Sequence, residues 1–140
     1  MKNKNKTNGD HWETPKDLYI KLNNEFNFDF DPCPLNHDIK LWDGLEAKWG
    51  TSNFVNPPYS RKLKDLFVKK SIEEAKRGAT CVVLIPVSTS TILFHDHILP
   101  NHKEIRYIKK RLRFSGYNNE GLYIEGVDAM QDHMIVIFGT

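Results

Sequence analysis

Asn56-Pro57-Pro58-Tyr59 is the segment whose residue types and spacing could do chemistry. An amide, two prolines and an aromatic make a loop with few backbone conformations, and a group that must hold a reacting atom needs that rigidity. Proline has no N–H, so the loop presents acceptors. If the side-chain oxygen of Asn56 and the carbonyl of Pro57 accept hydrogen bonds from the exocyclic amino group of an adenine, they favour a pyramidal nitrogen with a localised lone pair and stabilise the positive charge developing on it. The ring of Tyr59 would stack on the base once it is flipped from a duplex. The same four residues also favour turns, so the motif alone is weak. Its place after a strand and before a helix is what favours chemistry.

The elements that must position this loop are legible around it. Residues 52–55 read as a short strand that runs into the two prolines, which bar its continuation. From 62 to 77 the apolar positions Leu63, Leu66, Phe67, Ile72 and Ala75 are helical, and Gly78 sits where a left-handed cap belongs. Residues 79–85 form a continuous, β-branched apolar run ended by Pro86, the pattern of a central parallel strand buried on both faces. Upstream, Thr14, Pro15 and Asp17 predict a helix start with Thr14 as cap, followed by Leu18, Leu22 and Phe26 at helical spacing. Alternation at Phe28-Asp29-Phe30-Asp31 suggests a strand stopped by Pro32-Cys33-Pro34. Downstream, 90–99 reads as helix, 104–108 as strand, 115–128 as a Gly- and Asn-containing loop, and 134–138 as a buried strand. The alternation predicts an α/β domain with a largely parallel sheet, in which ligands bind beyond the carboxyl ends of strands. That rule gives most weight to Asp31–Pro34, Asn56–Ser60 and Pro86–Thr89.

Length and composition bound the answer. At 140 residues with 39% hydrophobic content the chain fits one domain, a monomer or small homo-oligomer. A net charge of +2 is too mild to declare a nucleic-acid binder. The cations are uneven, however: Lys2, Lys4 and Lys6 lie in an Asn-rich tail, and Lys109, Lys110, Arg111 and Arg113 crowd one stretch. Arg111 and Arg113 alternate with Leu112 and Phe114 as a strand would place charges on one face, which makes them candidate DNA contacts. Cys33 and Cys81 share no metal-ligand spacing, and His95-Asp96-His97 has no further ligand set, so no metal is expected. No apolar run approaches the ~20 residues of a membrane span, and residues 1–10 lack the apolar run of a signal peptide. A cytoplasmic protein with a flexible basic tail at 1–10 and one domain over 11–140 is expected.

Taken together, Trp12-Glu13-Thr14-Pro15, Phe28–Cys33, Asp43-Gly44-Leu45 with Trp49, Asn56–Ser60, Val82–Pro86 with Ser88-Thr89, and Arg111–Phe114 resemble the phage DNA N-6-adenine-methyltransferase family. That family is one of the amino-methyltransferases with an Asp/Asn/Ser-Pro-Pro-Tyr motif. The resemblance implies a compact Rossmann-like methyltransferase fold with a mostly parallel sheet, S-adenosylmethionine as donor, and site-specific, adenine-specific DNA methylation. It implies that Asn56, Pro57, Pro58 and Tyr59 hold the target adenine and that Asp31, Pro32 and Cys33 occupy the donor-binding strand end. It sets Trp12, Thr14 and Pro15 beside the methionine part of the donor and Asp43 near its adenosine. Ser60, with Arg111 and Arg113, would face DNA, and the host cytoplasm would be the setting if a phage encodes the chain. Two departures stand out: no Gly-x-Gly follows Asp31, and the stretch from Asp31 to Asn56 is too short for two βα units, so core strands are missing or reordered. The loop recognises a planar amino group rather than its owner, so RNA adenine, a protein glutamine amide, and a non-catalytic DNA-binding or decoy protein remain alternatives.

Overall fold

The computed structural model describes residues 12–35, 37–38, 40–117, 120 and 122–139; the expected tail at 1–10 lies outside them. The two most apolar runs form the centre. Strands Thr80–Pro86 (β3) and His133–Phe138 (β7) pair antiparallel from Cys81 opposite Phe138 to Pro86 opposite His133. Ser52–Val55 (β2) adds to the free side of β3 in parallel, and Glu104–Tyr107 (β4) to the free side of β7 antiparallel, giving the order β2-β3-β7-β4. Phe30 contributes a single parallel bridge to Asn53, so the strand expected over 28–31 is reduced to one residue.

This corrects the expectation of a Rossmann-like, mostly parallel sheet. Of the three ladders only β2·β3 is parallel, and a second sheet of Trp12–Glu13 (β1), Arg113–Tyr117 (β5) and Tyr123–Asp128 (β6) is antiparallel throughout. The reason is physical: a strand buried on both faces shows the same apolar run whichever way it points, so residues 134–138 carried no sign of direction. The expected loop at 115–128 is likewise corrected, being largely the β5–β6 hairpin.

Alternate residues of the central strands serve opposite faces. On one, Val83, Ile85 and Val136 cluster with Phe67, Val68 and Ile72 of the helix Arg61–Lys76 (α2), which ends before Gly78 at φ +106°. On the other, Val82, Leu84 and Ile135 cluster with Leu22 of the helix Lys16–Phe26 (α1) and Phe114 of β5. Each such buried side chain contributes roughly 1.5–3 kcal/mol of transfer free energy. Phe114 thereby docks the small sheet on the large one. Helix α1 starts behind Pro15 with no side-chain cap, so Thr14 does not cap it. Where an α-helix was expected over 90–99, a π-helical turn, Leu93–Ile98, runs into a short helix, Leu99–Asn101 (α3). No helix among the described residues is long and apolar enough to cross a membrane.

Candidate active site

Strand β2 delivers the tetrapeptide. Its start is fixed by Asp29, whose carboxylate accepts from Thr51 Oγ1 at 2.7 Å and from the amides of Thr51 and Ser52 at 3.2 and 3.0 Å. Phe54 and Val55 are fully buried, and Asn56, 5% exposed, follows at the carboxyl end. The Asn56 Nδ2 group donates to Trp12 O at 2.7 Å and to Thr14 Oγ1 at 3.0 Å, binding chain segments more than forty positions apart. The task of Thr14 is therefore to orient an amide rather than to cap a helix. Cys33 completes the junction: its amide donates to Asp31 Oδ1 at 2.9 Å and its thiol to Asn56 O at 3.2 Å.

Two cavities open on either side of this junction, and Trp12 lines both. The first, about 330 Å³, brings Trp12, Thr14, Asp31, Cys33 and Asn56 together with Tyr19 and Phe54. The second, about 570 Å³, is walled by Trp12, Tyr59, Phe114, Met130 and His133. Tyr59 is held by a hydrogen bond to His133 and by edge contact with Phe114, ring centroids 6.1 Å apart. Because Gln131 O can only accept, His133 Nδ1 carries the proton toward it at 3.1 Å, and Nε2 accepts from the Tyr59 hydroxyl at 3.0 Å. Gly116 lets Trp12 sit this close to β5: a Cβ there would lie 2.6 Å from the indole.

Burial dominates the electrostatics. It raises the Asp31 carboxyl to about 6, against the opposing hydrogen bond from Cys33 and the charge of His37. It also holds the Cys33 thiol well above its ordinary range, helped by the Asp31 charge, so Cys33 is no nucleophile. Burial pushes the Tyr59 hydroxyl up and His133 down, which keeps the phenol protonated and the imidazole neutral. Two carboxylates, Glu13 and Asp31, against one lysine, Lys16, together with the rings of Trp12, Tyr19 and Phe54, suit a ligand carrying a cation on an apolar body, since rings attract cations across their faces.

Some expected residues fall elsewhere. Pro15 precedes α1 and Pro32 is buried against Gly44, where a Cβ would lie 1.8 Å from Pro32 O; neither lines the first cavity. Asp43 also stands outside that lining and turns its own loop, Oδ1 accepting from Leu45 N at 2.9 Å. Pro57 is buried and Pro58 half-buried, carrying the chain between cavities, and Ser60 is exposed at the α2 start without a side-chain cap bond. Arg111 pairs with Asp132 at 3.7 Å, and Arg113 with Asp128 at 3.1 Å and Gly126 O at 2.8 Å, all exposed. Surface pairs of this kind are worth at most about 1 kcal/mol, so a phosphate can displace the partner. Sequence reasoning missed Tyr19, Phe54 and His133. For His133 the signal is a histidine opening an otherwise apolar strand.

With this geometry in place, two comparisons bear on the chain. It matches the model of the DNA N-6-adenine-methyltransferase (Dam) family over residues 1–139. A DNA N-6-adenine-methyltransferase of Escherichia phage T1 is 31% identical over 114 residues, covering 74% of this chain and 46% of the phage protein. The chain thus spans just under half the length of that relative.

Proposed function

Since the chain belongs to the DNA N-6-adenine-methyltransferase family, we propose that it transfers a methyl group from S-adenosylmethionine to the exocyclic amino group of adenine in DNA, using residues 11–140 as one domain. The observation that carries the proposal is the placement of Asn56 and Tyr59 on two cavities with Trp12 as common wall, the first lined by Asp31 with Tyr19 and Phe54, the second by Tyr59 with Phe114 and His133. When bound in the first cavity, S-adenosylmethionine supplies an electrophilic methyl group. Asp31 balances its cationic charge there, and Trp12 and Tyr19 provide ring faces.

In the second cavity Tyr59 stacks on the flipped adenine, its plane fixed by His133 and Phe114. The Asn56 amide is oriented by its donation to Trp12 and Thr14, and an amide oxygen has two lone pairs with which to accept from the adenine amino group. The Pro57 carbonyl is the second acceptor. Both interactions strengthen as positive charge develops on nitrogen, so they lower the barrier more than they tighten binding. The proton lost from that nitrogen passes to solvent. Arg111 and Arg113 face the DNA by exchanging their surface carboxylates for phosphates.

Incubation with labelled S-adenosylmethionine and separate DNA, RNA and protein acceptors, followed by hydrolysis, tests the reading. Label in N6-methyladenine from DNA is the expected result. Label in RNA adenine or a glutamine amide would move the acceptor, and absence of donor binding by calorimetry would leave a non-catalytic DNA-binding protein.

A further inference from the structure

A third cavity, about 540 Å³, lies beyond the carboxyl end of β3 on the face opposite the Tyr59 cavity. Neighbouring residues of β7 divide the two: His133 lines the Tyr59 cavity and Met134 this one, as alternation along a strand requires. Arg61, Lys64 and Lys69 of α2 line one wall, and Ser88, Ser90 and Thr91 line the other. Among the described residues Asp65 is the only carboxylate in the lining, and the first turn of α2 contains no acidic residue to offset the positive end of the helix. Among the described residues, the ion pairs engage Lys70, Arg77, Arg106, Arg111 and Arg113, whereas Arg61, Lys64 and Lys69 have no carboxylate partner. Lys64 remains so while half-buried. Three cations against one carboxylate, opposite three hydroxyls, suit a chain of anionic oxygens.

We propose that this groove binds the phosphodiester backbone of the DNA strand next to the target base, an assignment that rests on the reading of DNA as substrate. Arg61 stands two residues after Tyr59, so phosphates adjoining a base in the Tyr59 cavity reach the groove across the same strand end. The division of labour follows: the Tyr59 cavity reads the base, and the groove supplies affinity without sequence information.

The test measures binding of a fluorescent DNA duplex by anisotropy from 50 to 200 mM salt, for the wild type and for the triple variant Arg61→Gln, Lys64→Gln, Lys69→Gln. Glutamine keeps helix propensity, and circular dichroism checks the fold. Three phosphate contacts predict a salt slope shallower by up to about 2.7 units in the variant, so that the wild type loses roughly 40-fold more affinity over that range. The single variant Lys64→Gln should lower the slope by about 0.9. A folded triple variant with the wild-type slope overturns the groove and leaves DNA as the substrate. A wild type that binds DNA with the steeper slope yet transfers no methyl group upholds the groove and removes the catalytic reading. A wild type without measurable DNA binding removes both.

Discussion

On the Asn56 side of the tetrapeptide, position is fixed by directional hydrogen bonds from distant chain segments; on the Tyr59 side, ring packing and a single hydroxyl bond do the work. Directional bonds suit a group that must aim an oxygen at one nitrogen, whereas ring contacts tolerate small displacements of a flat partner. On the proposed reading, transition-state stabilisation and base recognition are held by separable forces within four residues. Substitutions on the two sides should then fail in different ways.

The largest expected effect is at Asn56. Removing one preorganised hydrogen bond to transition-state charge costs about a hundredfold or more in turnover. Asn56→Ala should therefore lose methylation on that scale while the folded protein retains DNA in anisotropy measurements. Wild-type turnover would reduce the tetrapeptide to a turn and erase the contrast. Next comes Tyr59, where alanine forfeits on the order of 1–3 kcal/mol of stacking and a tryptophan keeps a flat ring. Tyr59→Ala should weaken DNA binding roughly 5- to 150-fold, and Tyr59→Trp much less. Equal losses in the two variants would show that the hydroxyl bond to His133, not the ring, matters.

The smallest effect concerns pH. With its carboxyl raised to about 6 by burial, Asp31 is protonated below that value and ionised above it. A cationic donor binds the ionised form better, so calorimetric affinity should rise with pH up to about 6 and level off beyond. Below that point the loss is at most about tenfold per pH unit. Asp31→Asn should weaken binding above pH 6 and flatten the profile; an unchanged profile would detach Asp31 from the donor.

How much of this was legible in the sequence depended on how local the determining force was. Helix α2, strand β3 and the cap at Gly78 follow from apolar spacing and a left-handed glycine, and both are local. The strand-end rule singled out Asp31, Cys33 and Asn56, and the fold gathers all three along one cavity. Strand direction was not legible, nor was the hairpin of β5 and β6. Gly116 reads as a breaker until Trp12 is seen against it, and the contact between Tyr117 and Tyr123 exists only once the strands pair. The helix cap expected at Thr14 failed for the same reason: its partner, Asn56, is 42 positions away. Asp43 resembled a donor contact but satisfies its own loop, a role that any Asx turn can fill.

Trp12 belongs to a strand of two residues and is the wall common to both cavities. Coupling energies between residues in contact run about 0.5–3 kcal/mol, so changes at Tyr19 on one side and Phe114 on the other need not add. A double-mutant cycle would register the shared indole as that deviation. On the proposed reading, a substitution at Trp12 reshapes the donor side and the base side at once, so that through this one residue donor use and base choice are inherited as one trait.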